Sequence, residues 1–310
     1  MVLLPADATA CRRFLFKAII SDSSTSLLTN RGAIGHHRQV PATKNHRQTS
    51  DPTATHATAV VTGGASGIGA AVVDALLARG MSVFVLDLAS GIASGNHRTG
   101  ADYRPTDVTD PEQVKRAVTA AADHGRESGR PLRVAVNCAG VAPSRRLVGH
   151  QRHHEPELFA RTIAINLLGT FHVMLYAAYA MMGNETDADG ERGVVVNFAS
   201  IAAFDGQVGQ VAYAASKAGV AGMTLPAARD LADHGIRVCA LAPGVIDTPM
   251  FGTFTPEVRD AVGAAVPFPR RLGRPDECAR MVEAVLEHRY LNGETIRIDG
   301  ALRLPPRATH

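Results

Sequence analysis

Between residues 58 and 300, short apolar runs alternate with longer stretches whose apolar positions recur every three or four residues. The runs TAVVT (58–62), SVFVLD (82–87), LRVAVNCAG (132–140), GVVVNFAS (193–200) and IRVCALAPG (236–244) are nearly continuous in Val, Ile, Leu and Ala. They lack the polar alternation of a strand wet on one face, so they predict strands covered on both faces. ADYRPTDV (101–108) holds a further short strand and ETIRIDG (294–300) a last one. Helical stretches lie between them. Residues 68–80 end at Gly80, and 110–125 open with Asp110 as cap and Pro111 in the first turn. Residues 155–182, 211–235 and 275–288 complete the set. This alternation predicts a single doubly wound α/β domain, with a seven-stranded parallel sheet and helices on both faces.

Composition narrows the picture. With 310 residues, 45% hydrophobic and 20% charged, the chain can bury a sizeable core. A net charge of +3 gives little pull toward nucleic acid. The apolar runs are interrupted before they reach bilayer length, so no membrane span is expected. The four cysteines, Cys11, Cys138, Cys239 and Cys278, show no CxxC spacing and read as reduced thiols rather than zinc ligands. Residues 1–55 differ from the rest, being basic, rich in Ser and Thr, and poor in acids. That composition fits a disordered extension, a transit peptide or translated upstream sequence. The folded domain is expected over 56–310 and its location is expected to be cytoplasmic, or mitochondrial if the extension is a transit peptide.

The segment VVTGGASGIGAAV places Gly63, Gly67 and Gly69 between the first strand and the first helix. Glycines there let the backbone turn tightly and approach a pyrophosphate, which the helix N-terminus then meets with free N–H groups. This makes the domain Rossmann-like. Asp87 closes the second strand, where a carboxylate can accept both ribose hydroxyls of an adenosine and repel a 2′-phosphate. Neither Ala65 nor Ser66 offers a basic group to offset that repulsion, so NAD is favoured over NADP.

Further along stand Asn137-Cys-Ala-Gly140, Asn166, Ser200, Tyr213-x-x-x-Lys217 and Pro243-Gly244 followed by Thr248. With Thr62-Gly-Gly-Ala-Ser-Gly-Ile-Gly69, this ordered set resembles the short-chain dehydrogenases/reductases over about residues 58 to 300. The departure is Cys138, where most members carry Asn. The resemblance implies Tyr213 as general acid/base, Lys217 as its cation and ribose ligand, and Ser200 as hydrogen-bond donor to the substrate oxygen. It implies that Asn166 holds a water linking Lys217 to solvent. It also implies NAD contacts from Gly63, Ser66, Gly67, Ile68, Gly69, Asp87, Asp107, Val108, Asn137, Cys138, Ala139, Gly140, Tyr213, Lys217, Pro243, Ile246 and Thr248.

In RVAVNCAG, in SIAAFDGQVGQVAYAASKAGVAGMTLPAARDLADHGIRV and in LNGETIRIDGALRLPP, the chain is similar to the type II 3-hydroxyacyl-CoA dehydrogenase group, whose animal members are also called 17β-hydroxysteroid dehydrogenases. This likeness implies NAD-dependent oxidation of a (3S)-3-hydroxyacyl-CoA by a homotetramer, with hydroxysteroids as an alternative substrate. A basic segment, APSRRLVGHQRHHEPE (142–157), offers Arg145, Arg146, Arg152, His153 and His154 either to CoA phosphates or to solvent. No metal is expected. Residues 250–272 are expected to form a substrate lid, with Met250, Phe251, Phe254 and Phe268 facing an acyl chain or the core. Two rival readings remain: an NADPH-dependent 3-oxoacyl carrier-protein reductase, and a dinucleotide-sensing regulator without turnover.

Overall fold

The structure, a computed structural model, describes residues 56–95, 97–150, 152–251 and 255–307, so the expectation for residues 1–55 lies outside it. Seven strands form one parallel sheet: β1 (Thr58–Thr62), β2 (Ser82–Asp87), β3 (Ala101–Pro105), β4 (Leu132–Asn137), β5 (Gly193–Phe198), β6 (Ile236–Pro243) and β7 (Thr295–Ile298). Their order is β3-β2-β1-β4-β5-β6-β7. Along β1, Val60 pairs with Phe84 of β2 on one side and Ala135 of β4 on the other.

Alternate side chains of each strand serve opposite faces, which is why the central runs are apolar throughout. Ala59 and Val61 join one core layer with Val72, Val73 and Leu76 of helix α1 (Gly67–Ala78). Val60 joins the other layer with Val114, Val118 and Ala121. A six-residue helix, α2 (Ala89–Ser94), follows β2 and has no apolar period to announce it. The helix carrying Val114 is α3 (Pro111–Glu127), and Asp110 caps it by accepting the Glu112 and Gln113 N–H groups.

The long helix expected over 155–182 is interrupted. It runs as α4 (Pro156–Ile163), a π turn (Ala164–Leu168) and α5 (Gly169–Met181). Contrary to the sequence expectation, Pro156–Met181 is by length and composition apolar enough to cross a membrane. Here Val173, Met174, Ala177, Ala178 and Met181 pack on the sheet instead. Helix α6 (Val211–Asp230) is shorter than expected: a 3-10 turn over Ala232–His234 follows, and Gly235 at φ +66° ends it. Helix α7 (Pro256–Ala264) lies inside the expected lid, and α8 (Pro275–Glu287) covers the same face as α1.

β1 and β4 are neighbours, yet their following connections leave on opposite faces. The carboxyl ends of the strands therefore open into a crevice at this switch point.

Candidate active site

The glycine-rich turn is built by backbone demands. Gly63 and Gly67 sit at φ +65° and +54°, in the left-handed region. A Cβ on Gly69 would lie 2.2 Å from the Gly63 carbonyl oxygen, so the first turn of α1 can pack onto the glycine-rich turn only without one. Asp87 locks this turn to the end of β2. Its Oδ2 accepts the Ala65 N–H at 3.0 Å and its Oδ1 the Leu88 N–H at 2.8 Å. Asp87 also lines the crevice. On the other side, the Thr62 hydroxyl oxygen accepts from both Cys138 N–H and Ala139 N–H at 3.2 Å, which ties β4 to β1 where both strands end.

These loops enclose a cavity of about 870 Å³, of the size that takes a dinucleotide portion and a small-molecule substrate. Gly63, Ser66, Gly67, Ile68, Gly69, Asp87, Asp107, Val108, Cys138, Ala139, Gly140, Pro243, Ile246 and Thr248 all line it, as do Ser200, Tyr213 and Lys217. Among the described residues lining it, the basic ones are Arg161 and Lys217.

Two expected site residues do not reach it. Asn137 is buried within the sheet, where its Nδ2 donates to Asn197 Oδ1 at 2.9 Å and its Oδ1 faces the Thr62 hydroxyl at 3.5 Å. It braces β4 against β5 beneath the cofactor loops. Asn166, inside the π turn, is fully buried. Its Oδ1 accepts the Val141 N–H at 2.8 Å, and its Nδ2 donates to Val141 O at 2.9 Å and Ser216 Oγ at 3.0 Å. Both amide hydrogens are used within the protein, so the side chain positions the loop after β4.

Ser200 follows β5 and Tyr213 and Lys217 follow on α6. The Ser200 hydroxyl hydrogen-bonds Tyr213 and also accepts the Ala202 N–H at 3.1 Å. Lys217 is 5% exposed. Its Nζ donates to the Phe198 carbonyl at 2.7 Å and lies 6.0 Å from the centre of the Tyr213 ring. Burial pulls the Lys217 ammonium down to about 8. Burial also pushes the Tyr213 phenol up, against the pull of its hydrogen bond with Ser200. Burial raises the Cys138 thiol well above its ordinary value, so it lines the cavity as an inert neutral group.

The lid differs from expectation. Met250 lines the cavity, but Phe268 is 81% exposed and forms no wall. Phe254 and the side chain of Phe251 lie outside the described residues. In the basic segment, Arg145 pairs with Glu155 at 3.1 Å, while Arg146 and Arg152 stand in solvent. The sequence reading missed Val141, Gln207, Gln210, Leu302, Leu304 and Pro305 as cavity residues. Gln207 and Gln210 lie between Ser200 and Tyr213, a bracket that could have flagged them. The three carboxyl-terminal residues carry no local signal.

The donor set suits a nicotinamide dinucleotide: a glycine turn at a helix N-terminus, a carboxylate at the end of β2, and a buried lysine across the cavity. Comparison with known proteins agrees. A family model described as short chain dehydrogenase matches residues 57–259. The 3-hydroxyacyl-CoA dehydrogenase type-2 of Drosophila melanogaster is 47% identical over 256 residues, which cover 81% of this chain and 99% of that protein. The Homo sapiens protein of the same name is 46% identical over 253 residues, covering 80% and 95%. A crystal structure of 3-hydroxyacyl-CoA dehydrogenase type-2 from Mycobacterium avium superposes with a TM-score of 0.76 at 39% identity, over 83% of this chain and 100% of that one. The likeness spans the cleft from Gly63 to Met250, and the chain belongs to the short chain dehydrogenase family, oxidoreductases that work with NAD or NADP.

Proposed function

We propose that the chain oxidises a (3S)-3-hydroxyacyl-CoA to the 3-oxoacyl-CoA with NAD. One observation carries the reading: the hydrogen-bonded Ser200–Tyr213 pair and the buried Lys217 share a cavity with Asp87. When bound, the dinucleotide would supply the acceptor for the hydride that leaves the alcohol carbon. Ser200 holds the substrate oxygen and Tyr213 takes its proton, with Lys217 as the cation that favours the phenolate. Asp87 and Lys217 bind the adenosine and nicotinamide riboses. The choice of NAD rests on Asp87, since Ala65, Ser66 and Leu88 beside it supply no cation for a 2′-phosphate. The choice of acyl-CoA rests on the relatives' names and on the apolar walls of the cavity.

Kinetics with 3-hydroxybutyryl-CoA, longer acyl-CoAs and 17β-estradiol, each with NAD and NADP, test this reading. Acyl-CoA with NAD should give the highest kcat/KM. Tyr213→Phe should lose about 100- to 10,000-fold in turnover, and Asp87→Ala should raise the KM for NAD and improve use of NADP. Preference for NADP in the unaltered protein would refute the assignment of Asp87, and steady turnover by Tyr213→Phe that of the tyrosine.

We propose further that the protein is a homotetramer. Phe159, Leu168, Phe171, Leu175, Tyr179 and Met182, from α4 through the π turn to the end of α5, are all exposed, more apolar surface than a monomer ordinarily leaves in water. A monomeric mass in light scattering would refute this.

A further inference from the structure

The cavity has one wall that comes from the far end of the chain. Leu302, Leu304 and Pro305 line it. This strap does not lie loosely on the surface. The Gln207 side-chain amide donates to the Pro305 carbonyl at 3.0 Å, and the Val208 N–H donates to the Pro306 carbonyl at 3.0 Å. Arg297 donates to the Leu302 carbonyl at 3.0 Å while pairing with Asp205 at 2.6 Å and Asp299 at 2.7 Å. Before the strap, Ala301 adopts φ +66°, a left-handed turn that a non-glycine residue rarely takes. The Asp299 carboxylate supports that turn by accepting the Ala301 N–H at 3.0 Å.

The turn drives Leu302 into a small apolar cluster with Ile201 and Val266, against which Leu304 and Val245 pack. Ile201 is the neighbour of Ser200, so the strap's apolar side chains begin one residue from the group that holds the reacting oxygen. Val266 belongs to the segment after α7, and the Phe268 N–H donates to the Gly300 carbonyl at 3.2 Å. The strap therefore joins the 201–210 segment to the lid segment, and its leucines face the space between them.

We propose that the strap Ala301–Pro306 is the specificity wall of this enzyme, and that Leu304 sets the length of acyl chain accepted. The inference rests on the acyl-CoA reading above. Leu304 is half-buried and borders the cavity that Ser200 and Tyr213 also line, so its volume subtracts directly from that space. Leu302, fully covered, holds the strap in place. A hydrophobic pocket discriminates by roughly 10- to 200-fold for each methylene that fits or fails to fit.

The test is the ratio of kcat/KM for 3-hydroxydodecanoyl-CoA to that for 3-hydroxybutyryl-CoA. Leu304→Ala should raise this ratio about tenfold or more, and Leu304→Trp should lower it by a similar factor. If Leu304→Ala fails to fold, as judged by its thermal melt, Leu304→Val reads the same ratio with a smaller change. A ratio unchanged in folded variants of both sizes would overturn the proposal. Failure of the substrate reading looks different: the unaltered protein would turn over neither acyl-CoA. The same ratio is then measured with 2-decanol and 2-butanol, and an unchanged value there also overturns the role of the strap.

Discussion

Lys217 carries an ammonium into a place where burial lowers its pKa from 10.5 to about 8. That difference is a penalty of roughly 3 kcal/mol on the charged form. The sign follows from linkage. Between about 8 and 10.5 the unfolded chain holds this proton and the folded one does not, so the penalty is full below about 8 and has faded by 10.5. Lys217→Met should therefore raise the Tm of the ligand-free protein at pH 7, and raise it less at pH 10, while removing most turnover. In the activity that remains, alcohol oxidation should rise at higher pH than in the unaltered protein, because the phenolate has lost its cation. A Tm that falls equally at both pH values would show that the bond to Phe198 outweighs the buried charge. At this scale Tyr213, Lys217 and Ser200 were legible, since helical spacing and a strand end fix where they point. Asn137 and Asn166 were not. The partners that absorb their amides, Asn197, Val141 and Ser216, lie on other elements.

Arg237 shows how an element can hide a charge. It is the second residue of β6 and 7% exposed, in a run whose other residues are all apolar. Its guanidinium donates to Glu191 at 2.6 Å, to the Val285 carbonyl at 2.9 Å and to the Leu291 carbonyl at 3.0 Å. It thus ties Glu191, two residues before β5, and the end of α8 to the amino-terminal end of the sheet, opposite the cleft. Arg237→Met should cost about 3–5 kcal/mol, because Glu191 and the carbonyls lose their donor. Adding Glu191→Leu should recover part of that loss, and turnover per folded molecule should hold. Denaturant midpoints of the three variants check this, and a cost below about 1 kcal/mol would mean that water replaces the guanidinium. The strands and helices were legible from period and caps. The π turn at Ala164–Leu168 was not, because Ile, Leu and Ala carry no mark of one extra residue in a turn.

For the whole molecule, every cleft residue named above lies beyond residue 56. A chain beginning at Asp51 should then melt and turn over like the full one, and a loss of activity would show that the extension serves the domain. We propose a cytosol-like location, with a mitochondrial one as the alternative that residues 1–55 fused to a reporter protein would reveal. The parallel sheet and its seven strands were legible in the continuous apolar runs. The carboxyl-terminal wall was not, since its place depends on Gln207 and Arg297 nearly a hundred residues and a few residues away.

The position of β1 between β2 and β4 sets an order in time. Thr62 meets Leu86 of β2 and Asn137 of β4, so one neighbour is near along the chain and the other far. Closing a distant parallel pair is slow compared with closing a near one. The turn at Gly63 and the carboxylate of Asp87 come together on the near side, whereas Ser200, Tyr213 and the wall at Leu304 wait for the strands that build out from β4. A refolding chain should regain its grip on the adenosine before it regains catalysis. Stopped-flow quenching by dinucleotide would precede turnover, and simultaneous recovery would place the β1–β4 closure in the rate-limiting step for both.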